Sequence, residues 1–427
     1  MQDWAGWLLM FFSFSIVLMW KHIRSDTKLV YAIWFCIVLH HAVALLNVYV
    51  GCVMGAELDA HSYHRYAVDV SLLGDHVWDS ANVSHLADME KLRADELMDA
   101  IDNPHTNCLG LLYRFFGSSI FFGAELSVLA FVLSCVVLVK LVGLLDLWRF
   151  RIGIILLFGL LPSAVIFRSV TLRESWQALF FLLTVYWAIR LQKRLGIRTL
   201  LFLIMSAFCM AQMHVGLSWY AVYMIVISLY WGFLGRSKKN WARPVTFIFT
   251  GLLIAYIIVL AQKMGLFLSV GDALDKVESF RPAAATIHGR TTYGIMLDTS
   301  SVLGIVKSIS TIFVYYLFAP FPWQVENVAD INALLESILR FLLLFFAISS
   351  WRRSSGEVRS YYSFLFIVVL GLELMWALGT INWGTAIRHH VPGYSVIVLL
   401  GVPGLVPFMQ KLHFGIFGRR KVSGELK

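Results

Sequence analysis

Ionisable side chains interrupt the apolar runs of this 427-residue chain at four places. The first is Gly55-Ala-Glu-Leu-Asp-Ala-His-Ser-Tyr-His-Arg-Tyr66, in which Asp59 could take a proton from a hydroxyl or hold a divalent cation such as Mg²⁺ or Mn²⁺. His61, Tyr63 and His64 follow closely enough to contact the same ligand. Asp59 could equally cap a helix that begins after it, and the motif alone does not separate the two roles.

The second place is Arg168-Ser-Val-Thr-Leu-Arg-Glu174. Two arginines can bind a phosphate or pyrophosphate bidentately, and Glu174 could hold Arg173 in position. Arg168 could instead extend to lipid head groups. Two adjacent opposite charges at the start of a membrane span favour a functional role for Arg173 and Glu174.

The third place is His214, which lies alone between two apolar runs. A single histidine is more often a satisfied interior residue than a ligand or a base, although His214 could contact a substrate.

The fourth place is Asn382-Trp-Gly-Thr-Ala-Ile-Arg-His-His-Val-Pro392, which the pattern predicts to be a tight turn between the last two spans. Arg388, His389 and His390 could attract an anion there, because no carboxylate is near in the sequence. Anionic lipid bound without specificity is the alternative. Asn382 is a further candidate for substrate binding.

Two arginines of the segment 265–301, Arg281 and Arg290, are weaker candidates for sugar contacts. Glu373 lies inside the penultimate apolar run, where it is expected to pair with a neighbouring helix.

Apolar runs long enough to be membrane helices recur along the chain, which is 59% hydrophobic and only 14% charged. Its net charge of +9 comes from short basic clusters between these runs, as in cytoplasmic loops, and nucleic acid is not an expected partner. The predicted helical runs are 4–20, 29–54, 117–143, 152–168, 175–191, 199–213, 216–234, 245–264, 302–320, 334–350, 361–380 and 392–411.

The basic clusters predict an all-α, polytopic membrane bundle with its N-terminus outside and its C-terminus inside. The count requires that one run does not cross, and we expect 302–320 to be a re-entrant or interfacial helix, which leaves about eleven spans. If it crossed, Arg352 and Arg353 would lie outside.

Residues 1–412 are expected to form one transmembrane domain, followed by a short basic cytoplasmic tail, 413–427. The outward loop 55–115 is acidic, with eleven Asp and Glu against four Lys and Arg, and is predicted to be a lid with an amphipathic helix over 87–101. The second outward loop is 265–301. Cys52 and Cys108 bracket the first loop and could form a disulfide in an oxidising compartment, or remain two thiols.

Together these residues resemble the integral-membrane glycosyltransferases of the GT-C type, and among them the bacterial exopolysaccharide and O-antigen polymerases, EpsG-like and Wzy-like. The resemblance covers most of the chain through short motifs. They are the stretch after Asp59, Tyr113-Arg-Phe-Phe-Gly117, Leu161-Pro-Ser…Leu-Arg-Glu174, Ala319-Pro-Phe-Pro-Trp323 and Asn382…Gly-Thr-Ala-Ile-Arg388.

The resemblance implies an active site on the periplasmic face of the bacterial inner membrane and a polyprenyl-phosphate- or polyprenyl-diphosphate-linked saccharide as donor. A growing polysaccharide would be the acceptor, with membrane lipid around it and export or chain-length proteins as further partners. It also implies an acidic base or metal ligand in the first outer loop. Asp59 fits by position, with Glu57 and Asp69 as alternatives, and no other cofactor is expected.

Three functions therefore remain open. The first is a glycosyltransferase or polymerase with Asp59, Arg173, Glu174 and Arg388 as catalytic residues. The second is a transporter or flippase for the same lipid-linked saccharide, although no paired interrupted helices are visible in the sequence. The third is an O-acyltransferase, for which His214 alone is little support.

Overall fold

The computed structural model describes residues 3–51, 57–73, 104–234, 281 and 289–422. These residues form fifteen α-helices and no strand; one isolated bridge pairs Thr292 with Asn382. In chain order the helices are α1 (Trp4–Leu18), α2 (Lys21–Arg24), α3 (Thr27–Tyr49), α4 (Glu57–Leu73), α5 (Pro104–Phe116), α6 (Ile120–Leu144), α7 (Arg151–Gly159), α8 (Pro162–Arg168), α9 (Glu174–Lys193), α10 (Ile197–Ala211), α11 (Val215–Leu234), α12 (Val302–Phe318), α13 (Val328–Arg353), α14 (Gly356–Gly379) and α15 (Trp383–Val422).

Six of these helices are long and apolar enough to cross a membrane, which confirms a helical membrane protein. They are α3, α6, α11, α13, α14 and the first 29 residues of α15. The pair α7 and α8 would make a seventh if it counts as one broken span, and α1, α10 and α12 are shorter apolar helices. The count of eleven and the orientation of the termini remain predictions. The predicted span 245–264 lies outside the described residues, as do Cys52 and the helix expected over 87–101.

The chain divides into two compact units, each described here by itself. The first unit comprises Met1–Lys140, Gly159–Trp187 and Leu200–Val222, and the second comprises Leu141–Phe158, Ala188–Thr199 and Tyr223–Lys427.

Polar side chains fix where several helices begin. Asp26 accepts a hydrogen bond from the Leu29 amide at 3.2 Å at the start of α3. Asn327 does the same for Asp330 at 2.9 Å before α13. Each cap satisfies one of the amides that a helix N-terminus leaves without an intrahelical partner.

Two sequence predictions about helix boundaries are wrong. The run 152–168 is broken at Leu160 and Leu161, because Pro162 occupies the first position of α8, where its fixed φ and missing amide are tolerated. Asn382–Pro392 is not a turn. Asn382 caps α15 by accepting from the Thr385 amide at 2.7 Å, and the helix continues through Pro392. Proline can be accommodated in a membrane helix when neighbours satisfy the freed backbone groups.

In the first unit, α4 and α5 pack against each other and against α1 and α6. The shared core contains Ala67 of α4, Leu109 and Tyr113 of α5, and Phe122 of α6. A side chain at Gly110 would collide with Val70, so the glycine allows the close approach of α4 and α5.

In the second unit, α13 lies directly against α15. Any side chain at Gly401 would meet the backbone of Leu343, and one at Gly404 would meet that of Phe346. Small residues that let two backbones approach are typical of packed membrane helices, where van der Waals contact supplies much of the association.

The C-terminus of α12 is held by side chains from α13 and α15. Its last carbonyls, those of Tyr316, Leu317 and Phe318, accept hydrogen bonds from His390, Arg340 and Ser337 respectively. The His390 and Ser337 bonds measure 3.0 and 2.8 Å. These donors replace the helical turn that Pro320 prevents.

Candidate functional site

A cluster of ionisable residues in the first unit surrounds the start of α9. The charges of Arg173 and Glu174 act on two imidazoles, those of His105 near the start of α5 and His214 just before α11. The structure thus brings together three residues predicted from sequence and adds His105, which the sequence analysis missed.

Both imidazoles are neutral at pH 7. Burial lowers the pKa of His105 to about 4, with Glu174 opposing and Arg173 reinforcing that shift. Burial likewise lowers the pKa of His214 to about 4, with Arg173 reinforcing and Glu174 opposing. A neutral imidazole can accept a hydrogen bond as well as donate one, so either residue can orient a hydroxyl.

Tyr63 of α4 joins this cluster. Its ring meets His105 edge-on, with centroids 5.5 Å apart, and the Arg173 guanidinium carbon lies 5.9 Å from the Tyr63 centroid. The next residue, His64, hydrogen-bonds through Nδ1 to the Tyr113 hydroxyl at 2.9 Å. The predicted substrate-binding pair Tyr63 and His64 is therefore fixed against α5.

Asp59 lies in the first turn of α4, because the helix begins at Glu57 rather than after Asp59 as a capping role would require. It is exposed, as is His61. Residues four apart share a helix face with Cβ atoms about 6 Å apart, so Asp59 is one turn from Tyr63. Tyr63, which contacts both Arg173 and His105, is thus the residue that connects Asp59 to the cluster.

Several buried polar atoms at the start of α9 are without hydrogen-bond partners in the described part of the chain. They are Arg173 Nε, Ser175 Oγ and Gln177 Oε1. An unsatisfied buried polar group is unfavourable by about 1–3 kcal/mol, and such groups are typical of sites that bind a polar ligand.

A cavity of about 170 Å³ is lined by Trp176, from the same first turn of α9, and by His105 of the charged cluster. His105 and Thr171 supply polar atoms, while the remaining walls are largely apolar. The lining residues are His105, Cys108, Leu109, Leu112, Gly123, Leu126, Thr171, Trp176, Phe180 and Met213. Because His105 belongs both to this cavity and to the charged cluster, a ligand could place an apolar portion and a polar portion side by side.

Arg168 lies in different surroundings from Arg173. Its side chain is 1% exposed, and its guanidinium carbon lies 5.5 Å from the centroid of Phe131, whose ring also stacks on His40 at 3.8 Å. The suggestion that Arg168 extends to lipid head groups is wrong, because the side chain is enclosed by protein. Its role with Arg173 in binding phosphate stays a prediction.

A second polar group of the first unit was missed from sequence. His41 bonds to Glu125 at 2.8 Å through Nδ1 and to Ser13 Oγ at 2.8 Å through Nε2, and all three residues are buried. This order resembles a Ser–His–acid triad, but the Ser13 hydroxyl donates to the Met10 carbonyl at 2.7 Å. His41 must then donate to Ser13, which is the reverse of nucleophile activation.

In the second unit, Arg281 and Arg290 bond to protein groups. Arg281 Nη1 donates to the carbonyls of Ala377, Leu378 and Thr380 at 3.3, 3.1 and 3.2 Å, and so caps the C-terminus of α14. Positive charge at that end of a helix is favourable. The sugar contacts predicted for Arg281 and Arg290 remain predictions.

Arg290 forms a fork with the buried carboxylate of Asp330, with bonds of 2.5 and 3.3 Å. Asp330 also accepts from the Trp383 indole at 3.0 Å and from the Glu326 amide at 3.1 Å. Asp330 therefore has its acceptors occupied, and Arg290 is held rigidly at the surface.

The expectation that no carboxylate is near Arg388–His390 is wrong. Glu373 Oε2 of α14 bonds to His390 Nδ1 at 2.6 Å, which also confirms the predicted pairing of Glu373 with a neighbouring helix. His389 stacks on Trp376 at 4.0 Å and bonds to the Thr380 hydroxyl at 2.7 Å. Arg388 is half-buried on the same helix, and its role as a phosphate ligand stays a prediction.

Among the described residues, no group of three or more His, Cys, Asp or Glu side chains could hold a metal ion. The role of Asp59 as a ligand of a divalent cation stays a prediction. Within the same residues Cys108 is a free thiol.

No family model, curated protein or solved structure matches this chain.

Proposed function

We propose that this protein is a membrane glycosyltransferase that transfers a sugar or a repeat unit from a polyprenyl-phosphate- or polyprenyl-diphosphate-linked donor. In this proposal the active site faces the periplasm from the bacterial inner membrane, which the chain crosses about eleven times with its N-terminus outside. The observation that carries it is the apolar cavity lined by His105 next to Arg173 and Glu174. A lipid-linked phosphate has just such an apolar part joined to an anionic part.

In this proposal Arg173 binds the phosphate of the donor, and the apolar cavity takes the first part of the lipid. Glu174 and Tyr63 position the Arg173 guanidinium. Neutral His105 and His214 orient sugar hydroxyls by hydrogen bonding.

Asp59 acts as the base in the transfer. The acceptor hydroxyl attacks the anomeric carbon, the bond from that carbon to the phosphate oxygen breaks, and the phosphate leaves with the bonding electrons. The acceptor proton goes to the Asp59 carboxylate. Arg173 stabilises the charge that develops on the leaving phosphate.

The test is polysaccharide production in a deletion strain complemented with Asp59→Asn or Arg173→Ala. Each variant should lose at least about a hundredfold of transfer activity, which corresponds to about 2.7 kcal/mol of transition-state stabilisation. Lipid-linked saccharides should accumulate on the outer face of the membrane. Arg65→Ala, on the exposed side of α4, is the matched control and should restore wild-type product.

Other outcomes identify the competing functions. Normal polymer yield and length in both variants contradicts the proposal. Precursors trapped on the cytoplasmic face of the membrane would indicate a flippase, and a polymer that lacks only acyl groups would indicate an O-acyltransferase.

A further inference from the structure

The turn between α12 and α13 presents an aromatic surface outside the site described above. Trp323 is 79% exposed, and its ring is nearly parallel to that of Phe321, with centroids 5.0 Å apart and an angle of 9°. Tyr315 supports Phe321 edge-on at 5.2 Å. The exposed indole is therefore one face of a preformed stack rather than a loose side chain.

Glu326, on the same turn as Trp323, contacts a second charged residue, Arg290 of the 3₁₀ helix Gly289–Thr291. The Glu326 side chain is 63% exposed and lies 3.5 Å from Arg290 Nε. The Arg290 guanidinium is fixed by the buried Asp330, and the Glu326 amide, which bonds to the same carboxylate, fixes the backbone of the turn that carries the Glu326 side chain. The Arg290 guanidinium is therefore preorganised, and the Glu326 carboxylate, on the turn that carries Trp323, lies next to it.

The charge of these groups distinguishes between ligands. Among the described residues, the Arg290 guanidinium and the Glu326 and Asp330 carboxylates give a formal charge of −1, which disfavours a phosphate or an anionic lipid head group. A neutral saccharide has the complementary chemistry, since its ring has an apolar C–H face for an aromatic plane and hydroxyls that bond to carboxylate and guanidinium.

We propose that Phe321, Trp323, Glu326 and Arg290 form a binding site for a neutral saccharide. The inference takes from the proposed function only the expectation that this protein meets saccharides, and it assigns no catalytic role to the site. The competing occupant is the bilayer interface, where tryptophan is common.

The experiment is binding of purified full-length protein, in detergent, to an array of neutral and acidic oligosaccharides, with each neutral ligand found then titrated by calorimetry. At least one neutral saccharide should bind saturably. Trp323→Ala should weaken its affinity by at least about tenfold, and Glu326→Gln by about two- to fivefold. Trp323→Phe keeps an aromatic plane and should retain most of the affinity.

Trp148→Ala is the matched control, because Trp148 is also an exposed tryptophan, 36% accessible, on a short 3₁₀ turn. Its affinity should equal that of the wild type. Failure of every neutral saccharide to bind, or equal affinity in Trp323→Ala and wild type, overturns the inference. Quenching of Trp323 fluorescence by brominated lipid in the latter case would assign the residue to the membrane interface.

The Arg173→Ala protein separates this inference from the proposed function. It should bind the saccharide with wild-type affinity while being inactive in transfer. If Arg173→Ala and Asp59→Asn keep full transfer activity but Trp323-dependent binding persists, the saccharide site stands and the glycosyltransferase assignment fails.

Discussion

Arg173 in the first unit and Arg290 in the second carry the same guanidinium group in opposite surroundings. Arg290 forks onto a buried carboxylate, and that carboxylate is completed by an indole and an amide. The Arg173 guanidinium lies against the Tyr63 ring, and its Nε has no partner in the described part of the chain; the charge of Arg173 acts on His105, which lines an apolar cavity. Arg290 bonds to a buried carboxylate, so its removal should act first on stability, whereas the open donor of Arg173 is suited to the phosphate of a ligand.

The largest expected effects come from replacing each of the two arginines by alanine, because one variant should lose activity and the other stability. Arg173→Ala should abolish transfer, by at least about a hundredfold, and leave the unfolding temperature near that of the wild type. Arg290→Ala should do the reverse, because it strands Asp330 as a buried, uncompensated charge. Activity assays and thermal unfolding of both purified variants measure the two quantities; a lower unfolding temperature for Arg173→Ala than for Arg290→Ala contradicts the comparison.

The buried pairs His41–Glu125 and His390–Glu373 extend the comparison to both units. Glu125→Ala removes one partner of a buried pair and should lower the free energy of unfolding by about 3 kcal/mol. Glu125→Gln keeps a hydrogen-bonding group and should have a smaller effect. Denaturant unfolding in detergent checks the order, and equal stability of Glu125→Ala and wild type would show that the pair contributes nothing.

The histidines of the first unit predict a pH dependence. Their pKa of about 4 lies below the unfolded value of 6.5, so the unfolded chain binds more protons between these values. The stability contribution of each neutral imidazole is complete above pH 6.5, decreases as the pH falls, and is lost once the pH has passed 4. At pH 5 each histidine already disfavours folding by about 2 kcal/mol. His105→Asn removes one of these titrating groups. The slope of the unfolding free energy against pH should therefore decrease by the amount that corresponds to about one bound proton. An unchanged slope from pH 4 to 6.5 contradicts the buried, neutral state of His105.

Cys108 offers the finest test, because its exposed thiol lines the proposed lipid cavity. Desolvation by the surrounding protein raises the pKa of the Cys108 thiol. Labelling should therefore be slow and is best followed at alkaline pH. Undecaprenyl phosphate should slow alkylation of Cys108 by at least about fivefold, measured peptide by peptide by mass spectrometry, if it occupies the cavity. Leu112→Trp, which fills the cavity, should remove this protection, and protection that persists in that variant would place the lipid elsewhere.

Local pattern predicted the helices well and their interruptions poorly. The run 199–213 corresponds to Ile197–Ala211, and 216–234 to Val215–Leu234, because apolar composition over a span-length window determines a membrane helix. Pro392 was interpreted as ending a turn, yet α15 continues through it, since proline is tolerated where neighbouring groups satisfy the backbone.

The candidate site was predictable only in part, for a related reason. Arg173, Glu174 and His214 stood out as charges or imidazoles next to apolar runs. His105 falls in the segment predicted to be a polar loop, where a histidine carries no signal, and the packing of α5 buries it. Glu125 and its partner His41 were both missed: they lie in two predicted spans, 84 residues apart, and no local pattern joins them.

The capped end of α12 has a consequence for how the protein is made. Its last carbonyls are bonded by Ser337, Arg340 and His390, all of which leave the ribosome after α12 itself. During synthesis the last carbonyls of α12 therefore cannot form these bonds until residues up to 74 positions later in the chain have been made. A chain truncated before His390 would therefore lack one of the three side-chain donors that bond to the end of α12.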